Sequence, residues 1–315
     1  MKENIKKIAV IGAGTMGHGI AQSFAQAGYP VSLMSRTEKT LDRALSLIKA
    51  SLSVMAEEGI VDQRTIQTIM SRIHFTTSIE EAARDADIAF ETMAEDKEAK
   101  KNVFADLDKY CPSRTLLASN ATYLNIFDFV ETSRPDKVLI AHWYAPPQII
   151  PLVDVVKGPE TDMANVELVA DVLRNMDKKP AVFKKYVPGY VVTRFQIAFL
   201  REVLYLLDND FVSPQELDEA AKWGLAMRMM VVGVVQRIDF GGLDLTARSF
   251  ERPAFPLTPL DYKPKKIFEL YKQGHWGVKT GKGFYDYSGR TEAEVCKERD
   301  VKLIRMFEAL KKIGV

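Results

Sequence analysis

Residues 8–21 read IAVIGAGTMGHGIA. This β-branched apolar run opens onto Gly12, Gly14 and Gly17, and a second apolar run, Val31 to Met34, ends at Ser35-Arg36. A strand, a glycine turn and a helix in that order predict a dinucleotide-binding βαβ unit. The first glycine makes the tight turn, the second lets backbone approach a pyrophosphate, and the third lets the helix lie close on the strand. The stretch from Thr15 to Ala27 is amphipathic and stops at Gly28, a helix C-terminal signal. Gly12, Gly14, Thr15, Met16 and Gly17 are therefore the expected cofactor contacts at the turn. About 20 residues on, such units normally carry an acidic residue for the adenine ribose. Here Ser35 and Arg36 hold that place. A carboxylate would repel a 2′-phosphate, whereas a hydroxyl beside a guanidinium fork would bind one. NADP(H) is expected in preference to NAD(H), with NAD(H) the second choice.

With 315 residues, 47% of them hydrophobic, the chain can bury a sizeable core and is expected to make two domains. Lys plus Arg number 43 against 42 Asp plus Glu, a net charge of +1 that gives no general attraction to nucleic acid or to an anionic membrane. The expected partner is a small molecule. Cys111 and Cys296 are too few for a disulfide framework and are not spaced as a metal site, so no metal is expected. The opening MKENIKKIAVIG lacks the apolar core and cleavage signal of a secretory leader. Arg194, Arg201, Arg228 and Arg237 interrupt the most hydrophobic region short of a membrane span. A cytoplasmic location is the expectation.

Glu38 to Met70 reads as helix with an interruption near Gly59. Short strand-like runs recur at Ile73–Thr76, Ile88–Glu91, Thr115–Ala118, Val138–Ala141, Leu152–Val156 and Pro180–Phe183, with helical patterns between several of them, notably Glu98–Tyr110 and Met163–Asp177. Alternation of this kind predicts an α/β, Rossmann-type, doubly wound and mostly parallel sheet. Beyond Gly189 the patterns at Val191–Asp208, Pro214–Gly224, Arg228–Asp239 and Pro264–Gln273 are all helical. The break is placed at Val187-Pro188-Gly189, giving an NAD(P)-binding domain over 1–187 and an all-α substrate and dimerisation domain over 188–315. The helix VVTRFQIAFLREVLYLL is apolar on more than one face, which points to a homodimer through this second domain.

His142 follows the run Val138–Ala141, at the carboxyl end of a sheet strand, where open α/β folds place their sites. Asp154 lies twelve residues on, in the next strand. Neighbouring strands could bring its carboxylate against the imidazole, fixing the tautomer and stabilising the imidazolium formed when His142 takes a proton. By spacing alone, a histidine satisfied inside the core is the competing reading.

The chain resembles the 3-hydroxyacyl-CoA dehydrogenase family over essentially its whole length. The resemblance rests on GAGTMGHGIAQSFAQAGYPV, ETMAEDKEAK, LLASNATYLNI, the block from His142 to Asp154, VPGYVVTRF and GVKTGKGFYDY, in that order. It implies that His142 removes the hydroxyl proton as hydride passes to the nicotinamide, with Asp154 as the acid partner. It implies that Thr122 stands where the family has a serine that hydrogen-bonds the substrate oxygen. Glu95, Lys100 and Asn120 are implied to lie beside the nicotinamide half of the cofactor.

Departures from the family pattern bear on the substrate. The usual Glu is Asp154, the asparagine of His-x-x-Asn-Pro is Ala145, and the asparagine after Pro-Gly-Phe-x-Val is Thr193. The lysines expected to meet coenzyme A are absent from Met55-Ala56-Glu57-Glu58-Gly59, where two carboxylates would repel an anionic nucleotide. The stretch from Lys222 to Asp239 is longer than its counterpart in the CoA enzymes. With the His-Trp and Pro-Pro features it is similar to branches acting on free small acids, such as the pyridine-carboxylate, gulonate or carnitine dehydrogenases. Arg228, then Arg194, is the expected counter-ion for such an acid. Tyr123, Trp143 and Tyr144 are expected to line an aromatic pocket, with Thr193 among the substrate contacts. The expected reaction is interconversion of a secondary alcohol of the 3-hydroxy acid type and a ketone, with imine chemistry left open. Ordinary 3-hydroxyacyl-CoA oxidation and a catalytically silent nucleotide-binding protein are the alternatives.

Overall fold

The computed structural model describes residues 5–314. The first four residues of the opening stretch lie outside the described residues. The chain divides between Tyr190 and Val191 into two compact units.

The first unit runs β1 (Ile8–Ile11), α1 (Gly17–Gln26), β2 (Val31–Met34), α2 (Glu38–Glu57), α3 (Ile66–Ser71), β3 (Ile73–Thr76), α4 (Ile79–Ala83), β4 (Ile88–Glu91), α5 (Lys97–Tyr110), β5 (Leu116–Ser119), β6 (Val138–Trp143), β7 (Leu152–Lys157), α6 (Met163–Arg174) and β8 (Lys179–Phe183). The strands form one eight-stranded sheet in the order β3-β2-β1-β4-β5-β6-β7-β8. Its pairs are parallel except β6 with β7. The chain winds outward from β1 to β3 and returns to β4 on the other side of β1, so the switch point lies where β1 and β4 end. Gly12 and Thr92 follow those two ends.

Both faces of the sheet are covered, which is why its strands read as continuous apolar runs. Ile8, Val10, Leu139, Ala141, Trp143, Val153 and Val155 enter one buried layer. Ala9, Ile11, Val138, Ile140 and Val156 enter the other. Successive side chains on a strand point to opposite faces, and this alternation corrects one expectation. Trp143 does not line a pocket beside His142. It is 1% exposed and packs in the opposite layer against Phe24 and Phe90, with ring centroids 5.8 and 6.3 Å away.

Most predicted elements form with their ends shifted by a residue or two. The helix from Glu38 ends at Glu57 because Gly59 takes a left-handed φ of 73°, and the chain resumes through a 3-10 turn, Gln63–Thr65, into α3. The first compact unit runs through Tyr190, whose ring is fully buried there and whose hydroxyl donates to the Ala121 carbonyl at 2.7 Å.

The second unit comprises α7 (Val192–Asp208), α8 (Pro214–Glu219), α9 (Met227–Val232), α10 (Gln236–Gly241), α11 (Leu243–Glu251), α12 (Lys266–Lys272) and α13 (Glu292–Lys312). A π-helical turn, Ala220–Ala226, joins α8 to α9. Among its described residues there are isolated β-bridges but no strand. Helix α13 escaped the sequence reading because it is charged on most of its surface, although Thr291 and Glu294 form a capping box at its start. Among the described residues no helix is long and apolar enough to cross a membrane.

Replacing Trp143 by Ala should lower the unfolding free energy by about 3–5 kcal/mol, the cost of emptying a large aromatic site in a packed layer. A urea titration checks it, and a loss well under 1 kcal/mol would contradict the core placement.

Candidate active site

The glycine turn is built for close approach. Gly12 has φ 115°, and a Cβ there would meet the Thr92 carbonyl oxygen at 2.9 Å. A Cβ on Gly17 would lie 1.7 Å from the Gly12 carbonyl oxygen, so no other residue fits. Gly14 differs: it is exposed, and a Cβ there would meet nothing within 4 Å. That open side fits a group docking on the backbone. Helix α1 starts at this point with no side-chain cap and no acidic residue in its first turn. In the same unit Thr37, Ser78, Asp96 and Asp162 cap α2, α4, α5 and α6. The free end of the α1 dipole, with Thr15 and Met16 at its approach, suits the pyrophosphate of a dinucleotide. Ser35 is buried at the end of β2, its N–H donating to the Thr76 carbonyl at 3.2 Å, and Arg36 beside it is exposed.

The turn after β4 is held by a buried ion pair. Lys100 Nζ lies 2.9 Å from both Glu91 oxygens, and Glu91 also accepts from Ser119 Oγ at 2.5 Å and from the Met93 N–H at 2.6 Å. These donors offset the cost of removing the pair from water. Lys100, expected beside the nicotinamide half of the cofactor, is 1% exposed and paired with Glu91. The pair braces the turn that carries Glu95. The exposed Glu95 carboxylate accepts the Thr122 N–H and, at 3.4 Å, the Tyr123 N–H. Asn120 ties two strand ends together, its Oδ1 accepting the Trp143 N–H at 2.8 Å and its own N–H donating to the Glu91 carbonyl at 2.8 Å.

The antiparallel register of β6 and β7 sets His142 directly opposite Asp154. Both side chains are almost completely buried. His142 Nδ1 lies 3.5 Å from Asp154 Oδ2, an ion-pair distance longer than a direct N–H···O bond. On the other side of the ring, Nε2 is 3.2 Å from Thr122 Oγ1. Tyr144, one alternation past His142, donates its hydroxyl to Asp154 Oδ2 at 2.6 Å and sets its ring edge-on to the imidazole at 4.6 Å. Tyr190, in the turn before α7, covers the imidazole with centroids 4.9 Å apart. Its backbone holds a left-handed φ of 47°, a strained conformation for an aromatic residue, and burial pushes its phenol up. Tyr190 and the Tyr144–Asp154 bond were not read from the sequence. Strand alternation offered a signal for Tyr144; nothing local offered one for Tyr190.

Of the remaining predicted residues, Tyr123 adjoins Thr122, and Thr193 and Arg228 belong to the second unit. Tyr123 is 66% exposed. Thr193 is buried in the first turn of α7. Arg228 is exposed on α9, its Nε donating to the Gly224 carbonyl at 2.8 Å.

The segment between β6 and β7, which contains a cis Ala145–Pro146 peptide, is anchored by Lys178. Its amine donates to the Pro147 and Ile150 carbonyls at 2.6 and 3.0 Å and sits over the Trp143 ring at 5.1 Å.

The fold and this cluster define a nicotinamide-dinucleotide oxidoreductase with a histidine and a carboxylate at the carboxyl edge of its sheet. Comparison with known proteins agrees. Residues 7–186 match the 3-hydroxyacyl-CoA dehydrogenase NAD binding domain, and residues 189–287 match the 3-hydroxyacyl-CoA dehydrogenase C-terminal domain. The chain belongs to the 3-hydroxyacyl-CoA dehydrogenase family. It is 34% identical over 291 residues, 91% of its length and 99% of the relative's, to a probable 3-hydroxybutyryl-CoA dehydrogenase of Bacillus subtilis. It is 29% identical over 301 residues, 95% of its length and 96% of the relative's, to the 5-formyl-3-hydroxy-2-methylpyridine 4-carboxylate 5-dehydrogenase of Mesorhizobium japonicum. A crystal structure of a 5-formyl-3-hydroxy-2-methylpyridine 4-carboxylic acid 5-dehydrogenase, an NAD+ dependent dismutase, superposes with a TM-score of 0.86 at 28% identity, covering 98% of this chain and 99% of that one.

Burial alone pushes Lys178 down from 10.5 to about 8. Between those values the unfolded chain binds more protons than the folded one. The lysine's stabilising contribution is therefore fully present above pH 10.5 and is lost as pH falls through about 8. The urea midpoint of the wild type should accordingly rise relative to that of Lys178→Met as pH rises across that window; a constant difference would contradict the depressed value.

Proposed function

We propose that the protein is an NADP(H)-preferring dehydrogenase that interconverts a secondary alcohol and a ketone on a small, carboxylate-bearing molecule of the 3-hydroxy acid type. The observation that carries this reading is the line Thr122 Oγ1, His142 Nε2, His142 Nδ1, Asp154 Oδ2, with successive gaps of 3.2 and 3.5 Å across the ring. A substrate hydroxyl placed against Thr122 and Nε2 would pass its proton to His142, and Asp154 would stabilise the imidazolium. Thr122 keeps the substrate oxygen in register with Nε2, and Glu95 holds the Thr122 backbone in place. A bound nicotinamide supplies the hydride acceptor for oxidation or the donor for reduction. Gly12, Gly14, Thr15, Met16 and Gly17 would hold the pyrophosphate, and Ser35 and Arg36 the 2′-phosphate.

A free acid is favoured over an acyl-CoA by the end of α2, where Glu57 and Glu58 stand in place of lysines. Loss of the two asparagines at positions 145 and 193 points the same way. Acyl-CoA oxidation is the second reading, supported by the likeness to the Bacillus subtilis protein.

Arg36→Ala should weaken NADPH binding by roughly 10- to 100-fold, the worth of a charge-assisted phosphate contact, and leave NADH nearly unchanged. Fluorescence titration reads this, and equal losses for both nucleotides would refute the preference. A response to acetoacetyl-CoA would move the substrate to the second reading. His142→Ala should abolish turnover while retaining nucleotide binding.

The second unit exposes Phe195, Ile197, Phe199 and Leu200 on α7, and Phe240, Leu243, Phe250 and Leu260 beyond it. Apolar surface on this scale supports a homodimer through that unit. Sedimentation of a monomer at micromolar concentration would overturn it.

A further inference from the structure

Asp154 Oδ2 has two claimants. Tyr144 holds it with a 2.6 Å hydrogen bond, while His142 Nδ1 waits at 3.5 Å. Neither Nδ1 nor Asp154 Oδ1 has a hydrogen-bond partner of its own, though both atoms are buried. A carboxylate that is 1% exposed keeps its charge only with donors close by, and here the donor is a phenol rather than the imidazole. The resting structure has thus spent the oxygen that the imidazolium needs.

We propose that Tyr144 is a positioning residue for the acid–base pair: its hydroxyl shares Asp154 Oδ2 with His142 and so limits how tightly Asp154 holds the imidazolium. The proposal rests on the reading of His142 and Asp154 given above. Asp154 is shorter by one methylene than the glutamate the family pattern leads one to expect, and the hydroxyl of Tyr144 fills the space beside it. Phenylalanine at position 144 would fill the ring's place without touching the carboxylate.

The consequence is a set point for proton transfer. A carboxylate engaged by a neutral donor is a weaker base and a weaker partner for a cation than one left to the imidazole alone. Tyr144 therefore lets His142 release its proton more readily than an unshared dyad would. The other groups facing the imidazole are Thr122 from the turn after β5 and Tyr190 from the turn before α7, with Tyr186 packed on Tyr190 at 6.2 Å and the Glu95 carboxylate holding Thr122. Asp154 and Glu95 are the two carboxylates of this set, and both favour the imidazolium.

Histidine Cε1–H NMR titration of the full-length protein reads the pair without any substrate, His142→Gln assigning the resonance. Tyr144→Phe should raise the pair's titration midpoint by about one pH unit, the size of one charge-assisted hydrogen bond. In an Asp154→Asn background the same substitution should move nothing, because the shared oxygen has gone. An unmoved midpoint in folded Tyr144→Phe overturns the proposal. So does an equal shift in both backgrounds, which would mark a packing effect. A second measurement leaves Tyr144 in place: Asp154→Asn should shift the Tyr144 13Cζ resonance, and an unshifted resonance overturns the proposal even if Tyr144→Phe fails to fold. Turnover surviving in His142→Gln would instead sink the underlying dyad reading, so the two failures are distinguishable.

Discussion

The pairing of β6 with β7 is the constraint on which the site depends. It is the one antiparallel pair in an otherwise parallel sheet. Its register sets His142 opposite Asp154, and coverage of both sheet faces holds that register, because a slip of one residue would exchange the two layers. Leu139, Ala141 and Trp143 would leave the layer they share with Val153 and Val155. His142 would then enter an apolar layer with no carboxylate. A packing rule thus enforces the juxtaposition.

From that pairing the other parts follow through hydrogen bonds along the carboxyl edge. Asn120 ties the end of β5 to the end of β6 and to Glu91 of β4. Glu91 and Lys100 brace the turn leading to Glu95, and Glu95 receives the Thr122 N–H. Thr122 faces His142 Nε2. At the switch point Thr92 Oγ1 donates to the Gly12 carbonyl at 2.7 Å, joining this network to the glycine turn. The glycine turn and the His142–Asp154 pair are therefore built on one set of strand ends, where the open α/β architecture places its sites.

Legibility followed the range of the interactions. The runs of β2, β3 and β4 could be read to the residue, since each is a short strand bounded by turn residues. The burial of Lys100 and the facing of Trp143 could not. The pairing of Lys100 with Glu91, nine positions earlier, shows only once the fold buries both. Trp143 was misread although the sequence held the answer, because a residue next to an inward-facing histidine on a strand must point the other way.

By itself, the order of residues determined the βαβ unit, the three glycines, the Ser35-Arg36 ending of β2 and the candidates His142 and Asp154, because each depends on local backbone geometry or on residue type. Only the tertiary structure decided that β7 runs antiparallel to β6, that Tyr144 rather than His142 holds the near oxygen of Asp154, and that Tyr190 takes a left-handed backbone to cover the imidazole. Strand direction and cross-strand register arise from the packing of whole layers. No window of sequence short enough to carry a local signal contains them.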